Sequence, residues 1–478
     1  MKQRKYLILF AGLVTVGLSG LFMVSCSNKP KKGIIILTQR AEKDLKADYI
    51  SGESWRFIPG ARLVTMDPDK PGKTLKVLSD GFYSACSPDI SYDGNFMLFA
   101  GQQKEGDAWQ IWEMNLGNSE IRQVTSSGDN CTDPVYLPDN RLVYSKIVTH
   151  DSLKAGFSLY SGNLDGSGMQ RITFNPGSYF AANTLHDGRI LTISRQLYPV
   201  PEDPLWIVMR PDGTKADMFY KGSDHTKILS RAVETHSGKI VFVESDSANP
   251  ESGHVVSITY NRPLNTSINL TSGIEGHFLT VIPGPSGKYL VTYRKSAADR
   301  FALYEFDPES KVLGQAVYAS AEYDVLDAVV VEEVTRPKKL PSEVDTGVKT
   351  GLLLCQDINL LDPKFQLNPS KNKKASKIEV LGLNSSLGIV TVEEDGSFYL
   401  KTIADTPFRI QTLDENGKVV NGPCSWIWLR PNERRGCIGC HEDHELAPEN
   451  NVPLSVLKDP VIIPMHVTEV TEKEVELE

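Results

Sequence analysis

What this chain of 478 residues lacks narrows its chemistry first. It has no G-x-x-x-x-G-K-[ST] phosphate loop, no G-x-G-x-x-G dinucleotide fingerprint, no G-x-S-x-G nucleophile elbow and no H-E-x-x-H metal helix. That removes the familiar nucleotide, acyl-transfer and zinc-protease devices. A basic arm or stripe is also missing, and the formal net charge is −9, which excludes a general nucleic-acid binder. No long apolar run occurs beyond residue 24. An apolar content of 40% with a mean hydropathy of −0.25 then describes an ordinary folded protein, neither disordered nor multi-spanning. Cysteines number only seven, and where they fall is informative.

The first 25 residues set the compartment. Lys2, Arg4 and Lys5 precede an apolar stretch from Tyr6 to Val24, which ends in Ser25-Cys26 and the polar Ser27-Asn28-Lys29-Pro30. A small residue directly before a cysteine at this point resembles a bacterial lipobox, in which cleavage leaves Cys26 as a lipidated first residue. The competing reading is an uncleaved signal anchor. Both place the rest of the chain outside the cytoplasm, in a lipid-anchored or membrane-anchored form facing the periplasm or cell exterior. Loss of residues 1–25 removes three basic residues and no acid, so the mature chain moves from −9 to near −12.

Residues 26–337 read as one domain, built on an internal repeat from about Gly33 to Pro337. An apolar strand, a second strand ending near Leu-Thr, and an Asp-Gly or Asn turn followed by another apolar strand recur along it. The turns fall at Gly94, Asn140, Gly188, Gly238 and Gly287, at intervals of 46, 48, 50 and 49 residues. Four short strands per unit at this period predict propeller blades. Six are expected, at 61–101, 109–147, 156–196, 205–245, 254–295 and 301–336. The last is one strand short, and residues 33–39 would supply it from the other end and close the ring. Leu164-Asp-Gly-Ser167 and the turn pattern resemble TolB-like propeller repeats. The fold class is therefore mainly β: a six-bladed TolB-like propeller, then a small β-sandwich over 345–430, then a C-terminal segment, 431–478.

That last segment carries the most specific chemistry. Cys437-Ile438-Gly439-Cys440-His441 is C-x-x-C-H, the attachment signature of a c-type haem: two thiols add across the porphyrin vinyl groups and the histidine ligates iron. A redox dithiol, or half of a zinc site completed by His444, are the other readings. Export favours haem, because that compartment is where c-type haem is attached. Arg434 and Arg435 are candidates to pair haem propionates, and Trp426 with Trp428 to wall the ring or to fill the sandwich core. Met465, His466 or a rim residue of the propeller are candidates for the sixth iron position. Cys131, His225 and His277, with Cys86, stand just before innermost strands at one mouth of the ring, and are alternatives for a further metal ion. Cys86 with Cys131, and Cys355 with Cys424, are candidate disulfides that spacing cannot settle.

A TolB-like propeller followed by Asp395-Gly-Ser-Phe-Tyr-Leu400, Ala404-Asp-Thr-Pro-Phe-Arg409, Ser425-Trp426 and Glu433-Arg-Arg-Gly-Cys-Ile-Gly-Cys-His-Glu442 resembles the middle region of the hydrazine synthase alpha subunit. The resemblance covers roughly residues 60–455. It implies one covalent haem c at Cys437, Cys440 and His441, in a family whose haem has an unusual axial arrangement. It does not carry hydrazine chemistry over, because that enzyme has further subunits and a second haem domain. A single C-x-x-C-H excludes a multi-haem relay within this chain. Three functions follow as expectations: electron transfer with a redox or envelope protein partner, a haem oxidoreductase, or a non-catalytic propeller module.

Overall fold

The computed structural model describes residues 32–42, 57–150, 153–222, 226–246, 249–360, 374–439 and 451–465. Cys26, His225, Cys440, His441, His444 and His466 lie outside them. Strands dominate, and the first six sheets form a propeller. Blade 1 is Ser84–Ile90, Phe96–Gln102, Gln110–Asn115 and Ile121–Gln123. Blade 2 runs from Cys131–Leu137 to Gln170–Arg171 and blade 3 from Gly177–Thr184 to Asp217–Tyr220. In blade 4, Thr226–Ile228 and Val233–Glu234 share one partner strand, Lys239–Asp246. Blade 5 begins at His277–Pro283. Blade 6 joins Asp324–Val331 to Ile34–Arg40 in antiparallel register, followed by Ala61–Met66 and Lys76–Val77. The two ends of the repeat thus share one sheet, and the ring has no open edge there.

The repeat turns have the geometry their residues imply. Gly94, Asn140, Gly188, Gly238 and Gly287 all adopt positive φ, between 62° and 89°. Each turn joins the first and second strands of a blade, so every sequence unit straddles two sheets. The unit 61–101, for example, holds two strands of blade 6 and two of blade 1. A tandem repeat has no intrinsic starting point, and pairing fixes its phase. Adjacent blades are latched across their first strands. Asp133 accepts from Ser87 Oγ at 3.0 Å and from Ala181 N at 2.9 Å, and Asp89 accepts from Tyr136 N at 2.9 Å.

Residues 332–345 form a strap across the face carrying these turns. Val334 N donates to Tyr92 O at 3.0 Å, Arg336 to Pro138 O at 3.1 Å and Lys338 N to His186 O at 3.3 Å. Farther out, Glu343 N donates to Asp212 at 2.7 Å. The polar stretch is therefore bonded to three successive blades.

A two-sheet sandwich follows. One sheet has the order Arg434–Gly439, Thr350–Asp357, Phe398–Ile403, Val461–Ile463, with parallel pairing at both edges. The other is Ser386–Thr391, Lys377–Leu381, Arg409–Leu413, Val419–Asn421. Inward residues alternate as a half-buried sheet requires: Leu353 and Cys355, Ile378 and Val380, and Phe398 and Leu400 fill one core. Residues 424–429 join the sandwich only through a bridge between Ile427 and Phe408. One expectation changes here. The start of the haem motif is no separate segment, because Cys437 sits in an edge strand of the sandwich.

Candidate functional site

Glu433 organises the ground beneath the motif. Its buried carboxylate accepts from Arg430 N and Lys215 N, both at 2.7 Å, and from Arg435 Nη2 and Nε at 2.7 and 3.0 Å. Lys215 belongs to the propeller, so one side chain ties blade 3 to the root of the edge strand. Arg430 adds a 2.9 Å bond from Nε to Asp212 O and a 2.6 Å pair with Asp405. Burial pushes the Asp405 carboxyl up, and the Arg430 cation opposes that rise.

This anchoring reassigns several residues. Arg435 is engaged by Glu433, which leaves exposed Arg434 as the arginine at hand for an anionic group. Trp426 donates from its indole to Tyr198 O at 2.7 Å and stacks at a tilt on that ring. Trp428 inserts among Val135, Leu159, Ile172, Tyr179 and Ile190 in the groove between blades 2 and 3. Both tryptophans therefore serve the join between sandwich and propeller. The join engages blades 2 and 3, whereas Cys86, Cys131 and His277 belong to the first strands of blades 1, 2 and 5.

Cys437 is half-buried and packs on the sandwich core. On the opposite face of the strand a Cβ built on Gly436 meets nothing within 4 Å, so the outward side of this edge is open. At Gly439 a Cβ would stand 2.3 Å from Leu360 O, so close backbone approach requires glycine there. Cys437 thus stands half-buried on an edge strand, at the margin of the core rather than in its centre.

The propeller candidates stand elsewhere. Cys86 and Cys131 are buried in one apolar cluster with Trp109 and Tyr144, and no disulfide joins them. Burial pushes the Cys131 thiol up to about 12, so it is protonated at neutral pH and a poor metal ligand. His277 opens blade 5 opposite Arg294, and its Nδ1 is buried without a hydrogen-bond partner. Among the described residues no group of three or more His, Cys, Asp or Glu is arranged to hold a metal ion. Cys355 and Cys424 are not joined either, and Cys424 Sγ instead accepts from Ile410 N at 3.2 Å.

One cavity escaped the sequence reading. About 510 Å³ in volume, it lies where the first strands end, under the strap, and is lined by Asp89, Tyr92, His186, Arg231, Glu234 and Arg336. Burial raises Asp89 to about 6, against the opposing pull of Arg231 at 3.8 Å. A carboxyl raised in the native state contributes stability that is full below pH ~4 and lost as pH rises through about 6. Asp89→Asn is accordingly expected to stabilise the protein at pH 7.5 by about 1–3 kcal/mol, with the gain vanishing near pH 4. Denaturant midpoints of both proteins across that range check it. A gain independent of pH would contradict the assignment.

Residues 357–442 match the family profile of the hydrazine synthase alpha subunit middle domain. Over 535 aligned residues the chain is 24% identical to hydrazine synthase subunit alpha of Kuenenia stuttgartiensis, covering 85% of this chain and 65% of that protein. It thus spans just under two-thirds of that relative's length. The solved Kuenenia stuttgartiensis hydrazine synthase superposes with a TM-score of 0.76 at 22% identity, over 90% of this chain and 72% of the other. TolB from Acinetobacter baumannii matches with a TM-score of 0.45 at 16% identity, over 64% and 67% of the two chains. The chain resembles the hydrazine synthase alpha region in sequence and fold.

Proposed function

We propose that this chain is an exported, lipid-anchored protein bearing one covalent haem c, which exchanges single electrons with a partner in the cell envelope. The observation that carries the reading is the edge strand Arg434–Gly439, which sets Cys437, half-buried, on the rim of the sandwich at the start of C-x-x-C-H. The family match supports it, because it ends at residue 442, directly after the motif. Cys437 and Cys440 would hold the macrocycle and His441 its iron, and the group would supply a reversible one-electron centre. The protein's part is rigidity. Glu433 fixes the strand's root to blade 3, Trp428 locks the sandwich on the ring, and exposed Arg434 would be the arginine to pair a propionate.

Similarity over 85% of the chain to an enzyme subunit supports a second reading, a haem oxidoreductase acting at an open iron position. The visible and spin-state spectra of exported protein separate the two. A six-coordinate low-spin haem is the expected result, a high-spin haem with an open position supports the oxidoreductase, and no Soret band leaves only a propeller interaction module.

Anchoring is tested separately. Cys26→Ser is expected to release the chain from the membrane fraction or to leave it unprocessed, read by fractionation and intact mass. Normal processing with full membrane retention would show that lipid is not the tether.

A further inference from the structure

The strands Thr350–Asp357 and Arg434–Gly439 run parallel with Cys355 set directly opposite Cys437. Opposed residues on neighbouring strands stand about 5 Å apart and project from the same face. That separation lies inside the Cα range of about 4.4–6.8 Å across which a disulfide closes. Both side chains belong to the sandwich core: Cys355 occupies a buried position of an alternating strand, and Cys437 packs on the same apolar cluster. Their exposure differs, with Cys355 enclosed at 1% and Cys437 half-buried on the edge. A reagent from solvent therefore meets Cys437 first and Cys355 second.

We propose that Cys355 and Cys437 are a redox pair, whose disulfide withholds the first thiol of C-x-x-C-H from haem attachment until it is reduced. The pairing stands on the strand register alone, and its consequence for haem rests on the function proposed above. The oxidant is a low-molecular-weight disulfide such as glutathione disulfide. The Cys437 thiolate attacks one of its sulfurs, the reagent's S–S bond breaks, and one glutathione leaves as a thiol. The Cys355 thiolate then attacks the Cys437 sulfur of the mixed disulfide and expels the second glutathione. Two protein thiols are oxidised, one glutathione disulfide is reduced, and both protons finish on the released thiols. Thioether formation adds an S–H across a vinyl group, so a sulfur held in this disulfide cannot take part. A thiol buried one strand inward from an attachment cysteine thus sets a redox condition on cofactor loading.

The test uses the full chain, exported without haem, reduced, then treated with glutathione disulfide and digested under non-reducing conditions. The expected product links the peptides containing Cys355 and Cys437. Cys437 found only as a glutathione adduct, or joined to Cys440, would overturn the proposal. Cys355→Ala should abolish the crosslink and leave the adduct. Cys355→Val, which keeps the core filled, gives the same reading if the alanine variant folds poorly. In a host that attaches c-type haem, added reductant should raise wild-type haem occupancy several-fold and leave Cys355→Val unchanged. Equal responses would contradict the withholding step. Absence of haem from both proteins would count against the haem reading alone, because the peptide map decides the pairing without it.

Discussion

Chain carrying Cys437→Ala and Cys440→Ala, exported from a host that attaches c-type haem, is expected to hold no covalent haem. The wild type should hold one. Both thioethers disappear in the double variant, and a ring kept only by an axial histidine is extracted by denaturant. The fold should survive, since Cys437 lies half-buried on an edge strand held by backbone pairing to Thr350–Asp357 and by Glu433 at its root. Far-ultraviolet circular dichroism therefore stays that of the wild type while the visible spectrum is lost. Haem still covalently bound in the double variant would break the assignment of the motif.

Glu433→Ala carries the second large effect. Its carboxylate is fully enclosed and is shared by Arg430 N, Lys215 N and the Arg435 guanidinium, itself 13% exposed. Truncation leaves a buried cation and two backbone donors without an acceptor, a loss of about 3–5 kcal/mol. Glu433→Gln preserves the shape and part of the acceptance, and is expected to cost about 1–3 kcal/mol. Because Lys215 belongs to blade 3, the alanine variant should also loosen sandwich from ring. Denaturant unfolding measures the first effect, and proteolysis between residues 338 and 349 the second. A loss under about 1 kcal/mol would mean that Glu433 is not the tie described here.

Local chemistry made much of this architecture legible. Asp-Gly and Asn turns near a 48-residue period announce blades, because positive φ at such turns selects those residues whatever surrounds them. Residues 33–39 could be matched to the short last blade because an unclosed ring would leave an edge. Long-range pairing was not legible. Cys355 and Cys437 are far apart in the chain and meet through a parallel register that no local pattern encodes. Trp426 and Trp428 alternate as strand residues do, yet their partners are Tyr198 and the groove between blades 2 and 3. The strap carries no sequence signal, because its hydrogen bonds come largely from the backbone and from Arg336, which composition cannot distinguish from solvated loop. Asp89 was hidden for a similar reason. Its burial comes from neighbouring blades, and one aspartate among many turn aspartates carries no sign of that.

The most direct test of the central claim is the intact mass of wild-type protein exported from a host that attaches c-type haem, taken under denaturing conditions beside its visible spectrum. A single species carrying one covalently retained haem is expected, lost with the two motif thiols. Protein that shows no added haem and holds zinc at full occupancy would contradict it.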